Sequence, residues 1–205
     1  MTSDSLWYFA FGANMNSKIF IARRGMHPLS SEPAELKGYR LVFDHPGIPL
    51  LEPSFANVEK HDDSKIYGVL YHMTRDEMNL LNKMEGGGAY QNLDLEVVGK
   101  ESGLKIAHVY WTENTGITHL KPSRRYINVL LEGAKEHNLP PELIQLLQNQ
   151  PTSPHYPILS PGMKVIMPLL NRLFKLGLGT PFQGWRERQH TKAIKYNSAK
   201  ENKNL

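Results

Sequence analysis

One carboxylate in this chain stands where acid–base chemistry could be built. Glu85 is predicted at the end of a helix that begins at Thr74, and three glycines follow it at 86–88. The partial negative charge of a helix C-terminus disfavours an ionised carboxylate, so Glu85 should hold a proton more readily than usual. With open space beside it, such a group can take up a proton and return it. A solvated glutamate at a helix end has the same pattern, so both interpretations stay open.

A second candidate site lies near the start of the chain, where a strand pattern breaks. Residues 6–11 are rich in the aromatic side chains of a half-buried strand, and Gly12 follows, whose backbone can adopt angles that other residues avoid. Small and turn-prone residues complete what we call the Gly12 turn (residues 12–14), and residues 16–24 could start a helix. Successive N–H groups at such a turn suit a carboxylate or a developing oxyanion. An ordinary strand-to-helix connection has the same residue types.

The residues that other chemistries need are absent from the sequence. The chain contains no cysteine, which excludes a disulfide scaffold, thiolate metal sites and a cysteine nucleophile. It has no G-x-S-x-G, Walker, G-x-G-x-x-G or H-E-x-x-H motif, and its nine histidines show no metal-ligand spacing. The sequence therefore predicts neither a metal nor a cofactor.

Several strands with helices inserted between them predict an α+β domain with a mostly antiparallel sheet or barrel. The last two strands predict a hairpin, and Gly68 inside the third predicts a bulge or a close backbone approach. The strand patterns lie at 35–43, 55–58, 66–71, 93–98 and 105–111, with a loop predicted at 45–53 and a turn at 61–64.

The helices are predicted from their end signals. Thr74 and Glu77 have the spacing of a capping box, in which each side chain bonds the other residue's backbone N–H. A second helix should run from Ser123, a good N-cap, to about His137, and a short third helix should begin at residue 142.

The positive charge of the chain lies in its last part. Residues 161–205 carry nine lysines and arginines against two glutamates, a net charge of +7, so the rest of the chain carries −3 of the total of +4. We therefore predict a domain over 1–150 and a basic extension over 151–205, whose end at 189–205 is predicted to be disordered.

Residues 163–178 pair an apolar stripe with a basic face. Such a segment could lie on a membrane surface, but packing on the domain is favoured because an apolar helical stripe is usually core. The basic extension lacks interleaved aromatic and arginine residues, so nucleic acid is not predicted as a partner. Without a secretory signal pattern, a long apolar span or any cysteine, the sequence favours a cytoplasmic protein.

Four blocks of the sequence resemble, in order, the γ-glutamylcyclotransferase family of the AIG2-like fold superfamily. Residues 8–15, Y-F-A-F-G-A-N-M, are similar to its Y-F-A-Y-G-S-N-[LM] signature, and residues 66–71 to its central W-G-V-[VL] strand. Residues 81–86, L-N-K-M-E-G, resemble its L-D-x-x-E-G segment, in which the glutamate is catalytic. Residues 122–140 contain counterparts of the S-P-x-Y and G-A-x-E-x-G-L-P elements of the animal-type enzymes. Together the blocks span about 6–150.

The resemblance implies a fold, a reaction and a set of site residues. The fold would be a small mixed or antiparallel β-barrel with flanking helices, with the Gly12 turn and Glu85 facing one cavity. A γ-glutamyl amide would cyclise to 5-oxoproline and release an amine or amino acid, a lyase- or acyltransferase-type reaction that needs no cofactor. Glu85 would be the catalytic acid and base. The substrate-binding residues would be Tyr8, Phe9, Ala10, Phe11, Gly12, Ala13, Asn14 and Tyr126.

Two residues depart from the family signature, since Phe11 replaces a tyrosine and Ala13 replaces a serine. Each change removes a hydroxyl, so the same chemistry on a γ-glutamyl-amine or a glutathione-conjugated metabolite stays open. A non-catalytic binding protein of the same fold is a further alternative. The predicted partner is a small-molecule γ-glutamyl substrate, and a homodimer stays open.

Overall fold

The computed structural model describes residues 5–48, 52–85, 91–113 and 120–154. They fall into two compact units. The described residues of the first are 5–42, 56–85, 91–113 and 125–150, and those of the second are 43–48, 52–55, 120–124 and 151–154. The predicted amphipathic segment at 163–178 and the predicted disordered end lie outside the described residues. Both stay predictions, as does the domain boundary at 150.

Five strands close into a barrel. They are β1 (Ser5–Ala10), β2 (Ser30–Ile48), β3 (Glu52–Thr74), β4 (Gln91–Gly99) and β5 (Gly103–Trp111), in the spatial order β1-β3-β2-β4-β5. The pairs β1–β3, β2–β4 and β4–β5 are antiparallel, and a short parallel pairing of β1 with β5 completes the closure. The predicted α+β class with a mixed barrel is confirmed, and so is the hairpin of β4 and β5.

Two connections predicted from turn-forming residues are strand, one of them in part. Of the predicted loop at 45–53, residues 45–48 belong to β2 and 52–53 to β3, and residues 49–51 lie outside the described residues. The predicted turn at 61–64 lies inside β3, where residues 61–63 are exposed, so their polar side chains face water while the backbone stays extended. The turn and the two ends of the loop were predicted wrongly because the length of a strand depends on its pairing across the sheet, which local composition does not show.

The described part of the chain contains three α-helices, α1 (Arg75–Glu85) between β3 and β4, and α2 (Arg124–Glu136) and α3 (Pro141–Asn149) after β5. The capping box is confirmed, because the Glu77 N–H donates to the Thr74 hydroxyl at 3.2 Å and the Thr74 N–H to the Glu77 carboxylate at 3.4 Å. The predicted start of α2 after Ser123 is also confirmed. Among the described helices, none has the length and apolarity needed to cross a bilayer.

The segment after the Gly12 turn is not the regular helix predicted at 16–24. A 3₁₀ turn covers Ala13–Met15, and a π-helical turn covers Lys18–Arg23. In the π-helical turn the Arg24 N–H donates to the Ile19 carbonyl at 3.0 Å. Phe20 is fully buried there and stacks on Tyr71, with ring centroids 4.4 Å apart. The π-helical turn, which is wider than an α-helical one, coincides with this packing of Phe20. Local helix propensity does not predict such packing.

β1 and β3 approach each other closely just before the Gly12 turn. A Cβ on Gly68 would lie 2.3 Å from the Ala10 carbonyl oxygen and 2.8 Å from the Phe9 ring. Only a glycine fits this contact, so the predicted close approach at Gly68 is confirmed. The contact holds the end of β1 against β3, and the chain enters the Gly12 turn from this rigid strand.

Candidate active site

The Gly12 turn leaves two backbone donors for a ligand. β1 ends at Ala10, and the turn is closed by hydrogen bonds from the Met15 N–H to the Gly12 carbonyl (3.0 Å) and from the Asn16 N–H to the Ala13 carbonyl (3.1 Å). Within the described part of the chain, the N–H groups of Gly12 and Ala13 donate no hydrogen bond. Adjacent donors of this kind at the start of a helical turn suit an anionic oxygen.

Gly12 combines an uncommon backbone conformation with close neighbours. Its φ of −119° is ordinary, but its ψ of −144° lies outside the usual extended and helical ranges. A Cβ on Gly12 would lie 3.2 Å from the Tyr126 hydroxyl oxygen and 3.5 Å from the Ala56 Cβ. The contact with Ala56 is an ordinary one, whereas the contact with the Tyr126 hydroxyl is tight, so a side chain on residue 12 would press on that hydroxyl.

Tyr126 reaches the Gly12 turn from the first turn of α2. Its hydroxyl accepts a hydrogen bond from the Ala56 N–H in β3 at 3.2 Å, and its side chain is buried. The structure therefore brings together Gly12 and Tyr126, two of the residues that the sequence predicted for one site. Whether both contact a substrate stays a prediction.

Asn14 is held at both its side chain and its backbone. Its amide nitrogen donates to the Tyr8 hydroxyl at 2.8 Å, and its carbonyl accepts from the Tyr71 hydroxyl at 3.0 Å. Burial, with a smaller effect from Glu136, raises the pKa of Tyr71 far above its usual value, so this phenol stays a neutral donor. Tyr71 was not among the predicted site residues, although it ends the matching block at 66–71.

The predicted binding residues of β1, and Phe11 directly after it, form the support of the turn. Phe9 and Ala10 are fully buried and Phe11 is 7% exposed, with the Phe9 and Phe11 ring centroids 6.4 Å apart. Tyr8 packs on Phe20 and Tyr71, with centroid distances of 5.9 and 6.2 Å. A direct role of these side chains in binding stays a prediction, since their observed contacts are with the core.

Helix α2 supports the far end of the turn, a contact that the sequence analysis missed. A Cβ on Gly133 would lie 2.7 Å from the backbone of both Met15 and Asn16. The Asn16 side chain donates to the Val129 carbonyl at 3.2 Å, and the Ser17 N–H donates to the Glu136 carboxylate at 3.2 Å. The matching block at 132–140 contained Gly133 and Glu136, but their purpose depends on a contact between distant parts of the chain.

His137 closes the same contact. Its ring meets the edge of Tyr71, with centroids 6.2 Å apart and planes at 88°. Burial lowers the pKa of His137, although the Glu136 charge and a hydrogen bond to the backbone of Met15 act in the opposite direction. A neutral imidazole is thus the form that the folded chain favours here.

Glu85 is the last residue of α1, as predicted. Its side chain and the glycines at 86–88 lie outside the described residues. The distance between the carboxylate and the Gly12 turn therefore stays a prediction, and so does its catalytic role.

Comparison with known proteins finds AIG2-like and γ-glutamylcyclotransferase relatives by sequence and the same fold among solved structures. The model of the AIG2-like family matches residues 65–147. The γ-glutamyl cyclotransferase gliK of Claviceps purpurea is 33% identical over 147 residues, which cover 67% of this chain and 66% of that protein. The γ-glutamylcyclotransferase of Bos taurus is 27% identical over 144 residues, covering 68% and 75%. A solved γ-glutamyl cyclotransferase has the same fold, with a TM-score of 0.62 at 22% identity over 78% of this chain and 98% of that one.

Proposed function

This chain belongs to the γ-glutamylcyclotransferase family, and we propose that it cyclises a γ-glutamyl amide to 5-oxoproline with release of an amine or amino acid. The observation that carries the proposal is the Gly12 turn, where the Tyr126 hydroxyl lies 3.2 Å from the position of a Cβ on Gly12 and the N–H groups of Gly12 and Ala13 donate no hydrogen bond within the described part of the chain. The chain spans 66% of the length of its Claviceps relative, so the activity is a proposal about this chain and not a transfer from that protein.

The substrate supplies its own nucleophile in this reaction. The α-amino nitrogen attacks the γ-carbonyl carbon, a C–N bond forms, and the carbonyl oxygen becomes an oxyanion. The N–H groups of Gly12 and Ala13 stabilise that oxyanion or the α-carboxylate of the substrate. A tightly held turn suits this role because donors that are already oriented need no reorganisation during the reaction.

Glu85 moves the protons. It takes a proton from the α-ammonium group, which frees the nitrogen to attack, and it then protonates the leaving nitrogen as the amide C–N bond breaks. In all, two protons pass from the α-nitrogen to the leaving nitrogen. The products are a lactam with one N–H and a protonated amine, so charge and atoms balance without a cofactor.

Tyr126 orients the γ-glutamyl group by hydrogen bonding. Ring closure is intramolecular, and holding the substrate in its folded conformation can supply several kcal/mol of the barrier reduction, about 7 or more in well-oriented cases. The buried position of the Tyr126 ring and its bond from the Ala56 N–H keep the hydroxyl in one place beside Gly12.

The donor specificity follows from Phe11 and Ala13. Both residues lack the hydroxyl of the family signature, so this site offers two fewer polar contacts near the turn. The same reaction on a γ-glutamyl-amine or on a glutathione-conjugated metabolite is therefore the leading alternative. A cytoplasmic location stays a prediction, a homodimer stays open, and a membrane contact through 163–178 stays the less favoured alternative to packing on the domain.

An assay of 5-oxoproline release from a panel of γ-glutamyl amino acids, γ-glutamyl-amines and glutathione conjugates tests the proposal. At least one donor should be turned over, and Glu85→Gln should lower that turnover by about 10² or more, the scale of lost acid–base catalysis. Glu142→Gln is the matched control, because it removes the same charge from an exposed position in the first turn of α3. Near-normal turnover by a folded Glu85→Gln protein would contradict the role of Glu85.

A further inference from the structure

From the contacts around α1 we infer that Asn82 is a positioning residue for Glu85. Asn82 lies one helical turn before Glu85, on the last turn of α1. The inference rests on the proposed function, since it concerns how the proposed acid–base group is held. Asn82 itself would contact neither the substrate nor the reacting atoms.

Asn82 ties the end of α1 to the β4–β5 hairpin. Its side-chain oxygen accepts a hydrogen bond from the Tyr110 hydroxyl of β5 at 2.5 Å and another from the Asn92 side chain of β4 at 3.1 Å. Asn92 and Tyr110 are direct partners across the hairpin. One oxygen atom of the helix is therefore held by two adjacent strands at once.

A helix end needs such a constraint more than a helix centre does. The last turn of a helix has carbonyl groups without intrahelical partners, and it frays easily. Three glycines follow Glu85 in the sequence, and glycine restricts the backbone least. A misplacement of about 1 Å at a reacting group can cost about 10²-fold in rate, so the hydrogen bonds of Asn82 bear directly on turnover.

The same contacts continue to the Gly12 turn. The Tyr110 ring meets Tyr8 edge to face, with centroids 5.4 Å apart, and the Tyr8 hydroxyl accepts from the Asn14 side chain at 2.8 Å. Asn82 and Asn14 are thus joined through two tyrosines of adjacent barrel strands, β5 and β1. The arrangement holds the helix that ends at Glu85 and the turn that offers backbone donors in one fixed frame.

Four variants of the full chain test the inference. Asn82→Leu keeps the size of the side chain and removes its acceptor, whereas Tyr110→Phe keeps the ring on Tyr8 and removes only the hydroxyl. Each should lower kcat about tenfold and leave KM within about twofold, because proton transfer loses its geometry while binding does not. Asn82→Asp retains an acceptor oxygen and should recover most of the turnover lost in Asn82→Leu. Asn79→Leu is the matched control, an exposed asparagine on the same helix.

Hydrogen exchange separates this inference from the proposed function. The amides of residues 83–85 should exchange about tenfold faster in Asn82→Leu, since the last turn of α1 opens more often, and they should not change in Asn79→Leu. Unchanged exchange and turnover in both Asn82→Leu and Tyr110→Phe would overturn the positioning role. If the wild-type chain releases no 5-oxoproline from any donor, the proposed function fails, while the exchange result still decides whether Asn82 holds the last turn of α1.

Discussion

At the scale of single residues, the Tyr126 side chain lies in the space into which a side chain on residue 12 would extend. The Tyr126 hydroxyl lies 3.2 Å from the point where a Cβ of residue 12 would stand. A side chain on residue 12 would cover the backbone of the turn. A ligand can therefore reach that backbone only if residue 12 is a glycine.

We expect Gly12→Val to abolish substrate binding. The added side chain would displace the Tyr126 hydroxyl and cover the N–H groups of the turn, so KM should rise beyond the measurable range while the barrel stays folded. Ala13→Ser, which restores the family residue, should be tolerated. Steady-state kinetics measure KM, and thermal unfolding checks that each variant is folded. An unchanged KM in folded Gly12→Val would exclude the turn as the binding site.

The stability of the fold should depend on pH through His137. Burial lowers the pKa of His137 below its ordinary value of 6.5, so the unfolded chain binds this proton more readily than the folded chain does. Stability from this group is therefore fully present above about pH 6.5 and is lost as the pH falls towards the folded pKa. Urea unfolding at pH 7 and pH 5 should show a larger loss for the wild type than for His137→Gln, and equal losses would contradict the buried neutral state.

At the scale of elements, α2 acts as the support of the Gly12 turn. It contributes the Tyr126 hydroxyl from its first turn and the backbone contact of Gly133 from its last. Its end is closed by Asn138, which has a φ of 51°, with the Leu139 N–H donating to the Ala134 carbonyl at 2.9 Å. The Asn138 N–H also donates to the Lys135 carbonyl at 3.1 Å, so this left-handed cap is of the Schellman type and satisfies two carbonyls at the end of α2.

Gly133→Ala should destabilise the chain, although the same change usually stabilises a helix by about 1 kcal/mol. The new methyl group would lie 2.7 Å from the Met15 and Asn16 backbones, so either the helix or the turn must shift. We expect a loss of about 1–3 kcal/mol in the free energy of unfolding, the usual cost of overpacking, together with a raised KM. Lys135→Ala, at an exposed position of the same helix, is the control and should have little effect on either quantity. A more stable Gly133→Ala protein would show that the contact is looser than the structure indicates.

At the scale of the whole chain, the basic extension is separate from the proposed chemistry. Every predicted site residue precedes residue 150, whereas the net charge of +7 lies beyond residue 160. The first residues of the extension are nevertheless bonded, because the Ser153 N–H donates to the Pro122 carbonyl at 2.9 Å. The bond lies within the second unit, so the packing of 163–178 on the domain stays a prediction.

Truncation after Gln150 should therefore leave some turnover but lower both solubility and thermal stability. The physical reason is that removal of the apolar stripe at 163–178 would expose the surface on which it packs. The test compares the full-length and truncated chains in melting temperature, solubility and 5-oxoproline release. Full stability and activity after truncation, together with salt-sensitive binding of the intact chain to anionic vesicles, would favour the membrane surface instead.

The sequence by itself determined the features that depend on near neighbours. The capping box of Thr74 and Glu77, the start of α2 after Ser123 and the β4–β5 hairpin were all predicted, because caps and turns are made by residues a few positions apart. The family was also readable from the sequence, since its four blocks keep their order along the chain.

Only the tertiary structure decided how distant segments meet. It placed the Tyr126 hydroxyl beside Gly12, the Tyr71 hydroxyl on the Asn14 carbonyl and Gly133 against Met15. It also extended β2 and β3 through residues whose types favour turns, because strand pairing satisfies their backbone groups. Such contacts depend on the closure of the barrel, which sets distances between residues far apart in the chain, and no local pattern encodes those distances.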